Sequence, residues 1–303
     1  MIDGTKPHSS APFTGLRMSV VAFFHASTPG LPNKDLQYLR ELGFCLELPS
    51  ASTALAAIDG PEPDALVIPD ACNRVMIEYC CGEDSLMGSS AASGSGCHVI
   101  RVTRRNDVTT KQGSAFVDKA LALAQNKVGK NVLVWASIPC TGGTAWTRIN
   151  AHRGEQTRLK IAAHRREYRR IWASFVKSIA PALSAGISVA IEWPQGCAYW
   201  QDKRVRDFLR RHHLVRTTFH GCMYGLSPAR EDISGTQQYI KKPWVVATNC
   251  TDIRLVLNKT CDKSHEHAPC KGMDTALSER YTPHMCSVVH QAFAASMSST
   301  HGN

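Results

Sequence analysis

The sequence lacks any apolar run long enough to span a bilayer. The stretch MSVVAFFHA at 18–26 is well short of the roughly 20 residues that a transmembrane helix needs, and no clear cleavage site follows it. We therefore expect neither a membrane span nor a signal peptide. Without a secretion signal, the 12 cysteines are expected to be reduced thiols in an intracellular compartment, some of them serving as metal ligands.

The common phosphate-binding motifs are also missing. There is no three-glycine dinucleotide fingerprint and no phosphate-loop lysine, which excludes the nucleotide-binding classes that depend on them. Internal repeats are absent, and the only low-complexity tract is GSSAASGSG at 88–96, which predicts a loop. An apolar fraction of 43% and a charged fraction of 20% indicate a globular chain.

Acidic residues are scarce in one segment. Residues 148–216 contain 15 lysines and arginines but only 5 aspartates and glutamates, an excess of +10 that equals the net charge of the whole chain. A basic excess confined to one segment predicts a polyanionic partner, most simply DNA or RNA. The alternative is a solvated helix face. The contacts to nucleic acid would come from four arginines of one predicted helix: Arg165, Arg166, Arg169 and Arg170.

Strand-like and helix-like segments alternate along the chain. This order predicts an α/β fold with a mainly parallel sheet and helices on both faces. Strands are predicted at 18–24, 64–70, in the apolar run that opens 74–88, and at 97–103, 132–138 and 186–194. Helices are predicted at 33–42, 114–127, 155–179, 202–213 and after Pro283. We expect an N-terminal arm and α/β extension at 1–70, a core at 71–215 and a C-terminal region at 216–303.

Three of the predicted strands end in unusual residues. In open α/β sheets, ligands bind at the carboxyl ends of the strands. One strand opens into the acidic, glycine-containing turn 78–85, the next carries Pro139-Cys140, and a third ends at Glu192. A thiol and a carboxyl at neighbouring strand ends can act as a nucleophile and an acid. The alternatives are that Cys140 is a small buried hydrophobe, that Glu192 is a surface group, and that the turn merely needs a glycine.

This order of strand ends resembles that of the S-adenosylmethionine-dependent cytosine carbon-5 methyltransferases. The stretches SIPCTGGTAW, IEWPQGCAYW, FHGCMYGL and KKPWVVAT look like a divergent branch of such enzymes found in mobile-element polyproteins. The resemblance covers about residues 72–250 and implies a Rossmann-like methyltransferase sheet. It implies that Cys140, fixed by Pro139, is the nucleophile and that Glu192 binds the base.

The resemblance also implies a binding site for S-adenosylmethionine. Thr103 stands where the family usually has an acid, and the family's Gln-x-Arg-x-Arg stretch is absent. Either an arginine from another place, such as Arg148, supplies the missing cation, or the chemistry differs. The cofactor would lie against residues near the ends of the first two strands, with Asp107 close to the adenine: Glu78, Tyr79, Cys80, Gly82, Asp84, Ser85, Thr103 and Asp107.

The loop after Cys140 suits a target base that has left the stack. Gly142 and Gly143 would act as hinges, and Trp146 would stack on the base or on its neighbours. The expected substrate is therefore a nucleic acid, with DNA and RNA both possible.

A Cys/His cluster marks the C-terminal region. Cys261, His265, His267 and Cys270 lie within ten positions, and two thiolates with two imidazoles match a tetrahedral zinc site. Cys222 or Cys250 could replace Cys270, because four ligands in so short a loop would be cramped. The alternative is a polar surface loop.

Two classes of function remain open. The first is a nucleic-acid methyltransferase that acts on cytosine carbon-5, or on an exocyclic amine or RNA. The second is a zinc-stapled nucleic-acid-binding module that keeps the methyltransferase-like fold without catalysis.

Overall fold

A computed structural model of the protein describes residues 66–229, 237–272, 274–275 and 278–298, together with Gln37. The strands among these residues are β1 (Arg74–Tyr79), β2 (Cys97–Val102), β3 (Val132–Ala136), β4 (Ser188–Pro194), β5 (Val215–His220), β6 (Tyr239–Ile240), β7 (Pro243–Thr248) and β8 (His267–Ala268). The α-helices are α1 (Ser90–Ser93), α2 (Lys111–Val128), α3 (Trp146–Asn150), α4 (Glu155–Ser184), α5 (Lys203–Arg211), α6 (Thr251–Val256) and α7 (Pro283–Ser298).

Six of the strands form one mixed sheet in the order β2-β1-β3-β4-β7-β5. The first four run parallel, and β7 is antiparallel to both of its neighbours. A separate pair of short parallel strands, β6 and β8, lies outside this sheet. The prediction of an α/β fold with a mainly parallel sheet is therefore confirmed.

The sheet separates two apolar layers. Successive residues of a strand point to opposite faces, so Ile77 packs with α2, α4 and α5 on one side while Met76 packs with α6 and α7 on the other. β1 and β3 are buried along their whole length, as their continuous apolar sequences require. The carboxyl ends of the parallel strands therefore present their last residues and the following turns at one edge of a closed core.

Most of the predicted elements agree with the structure to within a few residues. α4 continues to Ser184, five residues beyond its predicted end, and buries the predicted stripe of Tyr168, Trp172, Phe175 and Ile179. Residues 66–70 form no strand, which corrects the prediction at 64–70 for its described part. The strand predicted at 18–24 and the helix at 33–42 lie outside the described residues, apart from Gln37.

The C-terminal region shares the sheet with the preceding core. The predicted division at 215–216 falls inside β5, and β7 inserts between β4 and β5. The chain divides into two compact units between Ala65 and Leu66, and the second unit is Leu66–Asn303. Strand pairing thus brings residues of both predicted regions to one edge.

Among the helices that the structure describes, none is both long and apolar enough to cross a membrane. The described cysteines are all free thiols.

Candidate active-site crevice and candidate metal site

The candidate active-site crevice is the edge of the sheet at which the strand order reverses. From β1 the chain crosses to β2 on one side, whereas β3 and β4 lie on the other side of β1. The turns after β1 and β3 therefore diverge, and such a switch point is the usual ligand site of an open α/β sheet. The turn 80–85, the loop 137–145 and the end of β4 form this edge.

Cys140 is held in place by the backbone of the loop after β3. The indole Nε1 of Trp193 donates to the carbonyl of Ile138 at 2.6 Å, and the amide of Gly143 donates to the carbonyl of Cys140 at 2.7 Å. The thiol is half-buried, and the preceding Pro139 is exposed. Cys140 is thus partly accessible at the carboxyl edge of the sheet, where the sequence placed it.

Glu192 is almost completely buried, with 7% of its surface exposed. The hydroxyl of Tyr281 donates to its Oε2 at 2.7 Å, and Tyr281 is itself fixed by Ser137 at 2.8 Å and by the Trp135 indole at 3.2 Å. The other carboxyl oxygen, Oε1, has no hydrogen-bond partner among the described residues. Burial raises the pKa of Glu192 to about 7, against the opposing effects of Tyr281 and Lys242.

Cys140 and Glu192 lie at the carboxyl ends of the neighbouring strands β3 and β4, and they interact electrostatically. Burial, and then the charge of Glu192, raise the pKa of Cys140 to about 11. Lys242 acts in the opposite direction on the pKa of both groups, and Glu279 raises the pKa of both. The crevice therefore combines a thiol, a buried carboxyl, one ammonium and one further acid.

Neither Tyr281 nor Lys242 is among the site residues predicted from the sequence. Both lie far along the chain from Cys140, Lys242 within the stretch KKPWVVAT. The backbone of Tyr281 adopts φ = 63°, a left-handed conformation that is uncommon for a bulky residue and that often accompanies a functional site. The available signal in the sequence was that Tyr281 directly precedes Thr282-Pro283, where a helix begins.

The turn after β1 is only partly open to a ligand. Glu78 is 1% exposed, and its Oε1 accepts a hydrogen bond from Ser85, while its Oε2 lies 3.9 Å from the Arg101 guanidinium. Burial raises the pKa of Glu78. Tyr79 points into the core, edge-on to Phe175. The predicted ligand residues Glu78, Tyr79 and Ser85 are therefore buried at this turn, and Glu78 Oε2 and the Tyr79 hydroxyl have no hydrogen-bond partner among the described residues.

Other members of the predicted cofactor set lie at the edge itself. Cys80 adopts φ = 62° as the chain leaves β1, and Gly82 follows in the turn. Asp84 is exposed and pairs with Arg280 at 2.6 Å.

After β2, Thr103 caps a short 3-10 turn through its hydroxyl. Asp107 is exposed and accepts hydrogen bonds from the amide of Thr109 at 2.9 Å and from its hydroxyl at 2.7 Å. These bonds lower the pKa of Asp107.

The loop after Cys140 is packed rather than hinged. A Cβ on Gly142 would lie 2.6 Å from the Tyr199 hydroxyl, and one on Gly143 would lie 3.0 Å from Cys197 Sγ. Both glycines are buried, which corrects their predicted role as hinges. They are needed because the loop passes directly against Tyr199 and α4.

The predicted nucleic-acid contacts are on the surface near this loop. Trp146 of α3 is 66% exposed and Ile149 is 56% exposed. Arg148 lies between them in α3, and its side chain is outside the described residues. Arg166, Arg169 and Arg170 of α4 are exposed as predicted, and so is Arg165, whose Nε also donates to the carbonyl of Gly142 at 3.0 Å.

A second group could hold a metal ion. The ligand atoms of Cys222, Cys261, His265 and His267 lie within 4.8 Å of one another. Cys261 Sγ is 3.6 Å from His265 Nε2 and 3.4 Å from His267 Nε2. The amide of Cys261 donates to Nδ1 of His220 at 2.9 Å, which ties this loop to the end of β5. The predicted Cys/His cluster is thus confirmed as a possible metal site.

The fourth ligand differs from the first choice made from sequence. Cys270 Sγ lies 3.5 Å from the Ser278 hydroxyl, outside the group, and Cys250 is buried at the start of α6. Cys222, named as a substitute, completes the set because the turn Gly221–Tyr224 after β5 brings it back to the loop.

Comparisons of the chain with protein-family models, curated proteins and solved structures find no match.

Proposed function

We propose that the chain is an S-adenosylmethionine-dependent methyltransferase that acts on nucleic acid, with cytosine carbon-5 as the acceptor and Cys140 as the nucleophile. The observation that carries the proposal is the placement of Cys140 and the buried carboxyl of Glu192 at the ends of neighbouring strands, where they interact electrostatically and where Glu192 Oε1 has no partner among the described residues. A buried polar atom without a partner costs free energy unless a ligand completes it. A ring nitrogen of a base would do so.

The strand-edge residues fit the proposed cofactor. We assign the sheet to the Rossmann-like class because its parallel strands reverse order between β1 and β3, as in sheets that bind nucleotide-like ligands there. Gly82 permits close approach of the turn, and the exposed carboxylates Asp84 and Asp107 suit hydroxyl and amine groups. When bound, S-adenosylmethionine supplies the methyl group as a sulfonium substituent.

The two central residues have complementary tasks in this chemistry. Neutral Glu192 donates its proton to ring N3, which prepares carbon-6 for attack. Sγ of Cys140 would bond to carbon-6 as its proton passes to solvent, which makes carbon-5 nucleophilic. S-adenosylmethionine would supply the methyl group through cleavage of its sulfonium carbon–sulfur bond and would leave as S-adenosylhomocysteine. Loss of the carbon-5 proton to solvent then breaks the bond from sulfur to carbon-6, and N3 returns its proton to Glu192.

The basic helix supports a nucleic-acid substrate. α4 leads into β4, so its first half lies near the carboxyl edge of the sheet, beside the crevice. Its exposed arginines can neutralise phosphates, and the exposed Trp146 can stack on a base.

We propose zinc as the metal of the Cys/His group. Around a tetrahedral zinc with bonds of about 2.3 Å to sulfur and about 2.0 Å to nitrogen, these atoms lie roughly 3.5 Å apart. The two sulfur–nitrogen distances from Cys261 are 3.6 and 3.4 Å. Four protein ligands without an open position favour a structural role over a catalytic one.

One observation favours the second candidate, a nucleic-acid-binding module without catalysis. A pKa of about 11 keeps Cys140 as a thiol at neutral pH, whereas a nucleophilic cysteine acts as the thiolate.

Product analysis separates the candidates. The protein would be incubated with methyl-labelled S-adenosylmethionine and cytosine-containing DNA or RNA, and the digested nucleosides examined by mass spectrometry. We expect 5-methylcytosine from the wild type and from the matched control Cys72→Ser, but none from Cys140→Ser. A methylated exocyclic amine would move the reaction away from carbon-5. A wild type that neither binds the cofactor nor forms product would reject the enzyme and leave the binding module.

A further inference from the structure

We infer that residues 146–167 form a binding surface for single-stranded nucleic acid, on which exposed apolar side chains stack against unpaired bases. The inference rests on the proposed function for its nucleic-acid substrate and adds the class of that substrate. The surface consists of α3, the short turn Ala151–Arg153 and the first part of α4. Its cations would hold the phosphates of the same strand.

The first part of α4 is not packed into the core. All eight buried residues of this helix lie at 168–183, whereas none of the described residues 155–167 is buried. At a rise of 1.5 Å per residue, these residues extend about 20 Å along the helix axis. A helix of that length is marginal by itself in water, so it depends on the buried half of α4 and leaves its own sides open to a partner.

Three large apolar side chains of this surface are exposed to solvent. Trp146 is 66% exposed, Ile149 is 56% exposed and Leu159 is 53% exposed. Trp146 and Ile149 are three positions apart, so they lie on the same side of α3. Burial of apolar surface is favourable, and a surface with several such side chains indicates a partner that covers them.

The charge around these side chains indicates which partner that is. Residues 146–167 contain six lysines and arginines but only two glutamates. A second copy of the chain would bring like charges together, which costs free energy, whereas phosphates would be attracted and would release their counterions. The exposed cations are Arg153, Arg158, Lys160, Arg165 and Arg166.

The combination of cations with a tryptophan favours a single strand over a duplex. In a duplex each base face is covered by the neighbouring base pair, so that the phosphates and the groove edges are what a protein can contact. An unpaired strand exposes its base faces, and these stack on aromatic side chains while the backbone lies along basic residues. A duplex would therefore be held through its phosphates alone, without the contribution of Trp146.

This surface adjoins the loop that carries Cys140. Nε of Arg165 donates to the carbonyl of Gly142 at 3.0 Å, and a Cβ on Gly142 would lie 3.0 Å from the backbone nitrogen of Arg165. The amide of Gly143 in turn donates to the carbonyl of Cys140 at 2.7 Å. A strand bound on residues 146–167 would thus bring a neighbouring nucleotide to the crevice without the cost of unpairing it.

Tryptophan fluorescence tests this surface directly. Of the six tryptophans, Trp146 is exposed and the other five are at most 2% exposed, so quenching by a stacked base reports on Trp146. The probes are an oligothymidylate, an oligouridylate, and the duplex of the oligothymidylate with its DNA complement. We expect quenching by single strands and none by the duplex. Quenching by only one of the two single strands would assign DNA or RNA as the partner and would equally support the inference.

Variants connect the quenching to affinity, measured by anisotropy of labelled probes. Trp146→Ala should weaken single-strand binding about tenfold, because it removes one stacking contact, and should leave duplex binding unchanged. The matched control Leu255→Ala removes a side chain of α6 that is 63% exposed and should behave as the wild type. Trp146→Phe keeps a ring and should retain part of the affinity. Thermal unfolding checks that each variant is folded.

The outcomes distinguish this inference from the proposed function. If single strands bind no better than the duplex and do not quench, the surface does not stack on bases, even where 5-methylcytosine forms. If single-strand binding depends on Trp146 but no methylated nucleoside forms, the methyltransferase proposal fails while this surface stands. Binding to vesicles with anionic lipid, or self-association of the chain, that Trp146→Ala abolishes while single-strand binding is unaffected would assign the surface to another partner and overturn the inference.

Discussion

Glu192 holds its carboxyl in a buried site, where only one of its two oxygens is hydrogen-bonded to a described residue. Such a group resists ionisation because the charged form loses its hydration on burial. The donor from Tyr281 partly compensates for this loss, and the pKa settles at about 7. At neutral pH the side chain can therefore both donate and accept a proton, which a base-binding acid requires.

This raised pKa predicts a pH-dependent stability. Between the ordinary pKa of 4.5 and about 7, the folded protein keeps the Glu192 proton that the unfolded chain has released. Stability must then fall as pH rises through this window. Relative to Glu192→Gln, which does not titrate, the wild type should lose on the order of 3 kcal/mol between pH 4 and pH 8.

Urea unfolding of both proteins at several pH values measures this difference. The variant keeps the shape of the side chain and an oxygen that can accept from Tyr281. A difference that stays constant with pH would show that the carboxyl is hydrated and not held as described.

The sequence predicts Cys140 and Glu192 as site residues but does not predict that Tyr281 binds Glu192. Pro139-Cys140 and Glu192 can be recognised in the sequence because each follows a run of apolar residues that predicts a buried strand. Tyr281 is 89 positions from Glu192, and its contact depends on a left-handed backbone turn before α7. No local pattern encodes such a pairing, because it arises only when the last helix packs on the sheet.

At the scale of single elements, α4 presents arginines to solvent along half of its length. Replacing Arg166, Arg169 and Arg170 together by glutamine should weaken nucleic-acid binding and leave the fold intact, since all three are exposed. For double-stranded DNA, the slope of log K against log salt should become shallower by about 3 if each contacts one phosphate. Arg165 is kept because it also supports the loop at Gly142.

The matched control removes the same charge elsewhere. Arg206, Arg210 and Arg211 of α5 are also exposed, and the last two lie just before β5 begins, towards the opposite edge of the sheet. Titrations at several salt concentrations should show little change for this triple variant. Equal slopes for the two triple variants would mean that α4 is only a solvated face.

Cys222, in the turn Gly221–Tyr224, leads to a prediction about the metal content of the protein. Elemental analysis of protein purified without a metal-binding tag should give about one zinc per chain. Cys222→Ser should lower this content strongly because it removes one of four ligands, whereas Cys270→Ser should leave it unchanged, because Cys270 Sγ lies against Ser278. Retained zinc in Cys222→Ser together with loss in Cys270→Ser would restore the ligand set first chosen from the sequence.

The elements also show where sequence patterns mislead. Gly142 and Gly143 suggested a hinge because glycine is often flexible, but here the absence of a side chain allows close packing against Tyr199 and Cys197. Cys270 suggested a ligand because it is close in sequence, whereas Cys222 is brought in by the turn after β5. Spacing along the chain carries no information about such long-range approaches.

At the scale of the whole molecule, alternating strands and helices were sufficient to predict a mainly parallel α/β sheet. They were not sufficient to predict its last two strands. β5 follows a basic helix and has exposed residues at its start. β7 runs antiparallel to β4 and β5 and lies between them, although both precede it in the chain. This insertion places Val246 of β7 opposite Glu192, and Tyr281, just before α7, donates a hydrogen bond to the Glu192 carboxyl. The crevice is therefore assembled from both ends of the described chain.

The central claim is that Cys140 attacks a pyrimidine ring beside Glu192. It is tested most directly by a nucleic acid that contains 5-fluorocytosine, together with S-adenosylmethionine. Fluorine at carbon-5 cannot leave as a proton does, so the bond between sulfur and carbon-6 persists after methyl transfer. Intact-mass measurement should show a stable adduct with the wild type and none with Cys140→Ser, and peptide mapping should place it on Cys140. An unmodified wild type that still methylates ordinary cytosine, or an adduct on another cysteine, would contradict the account.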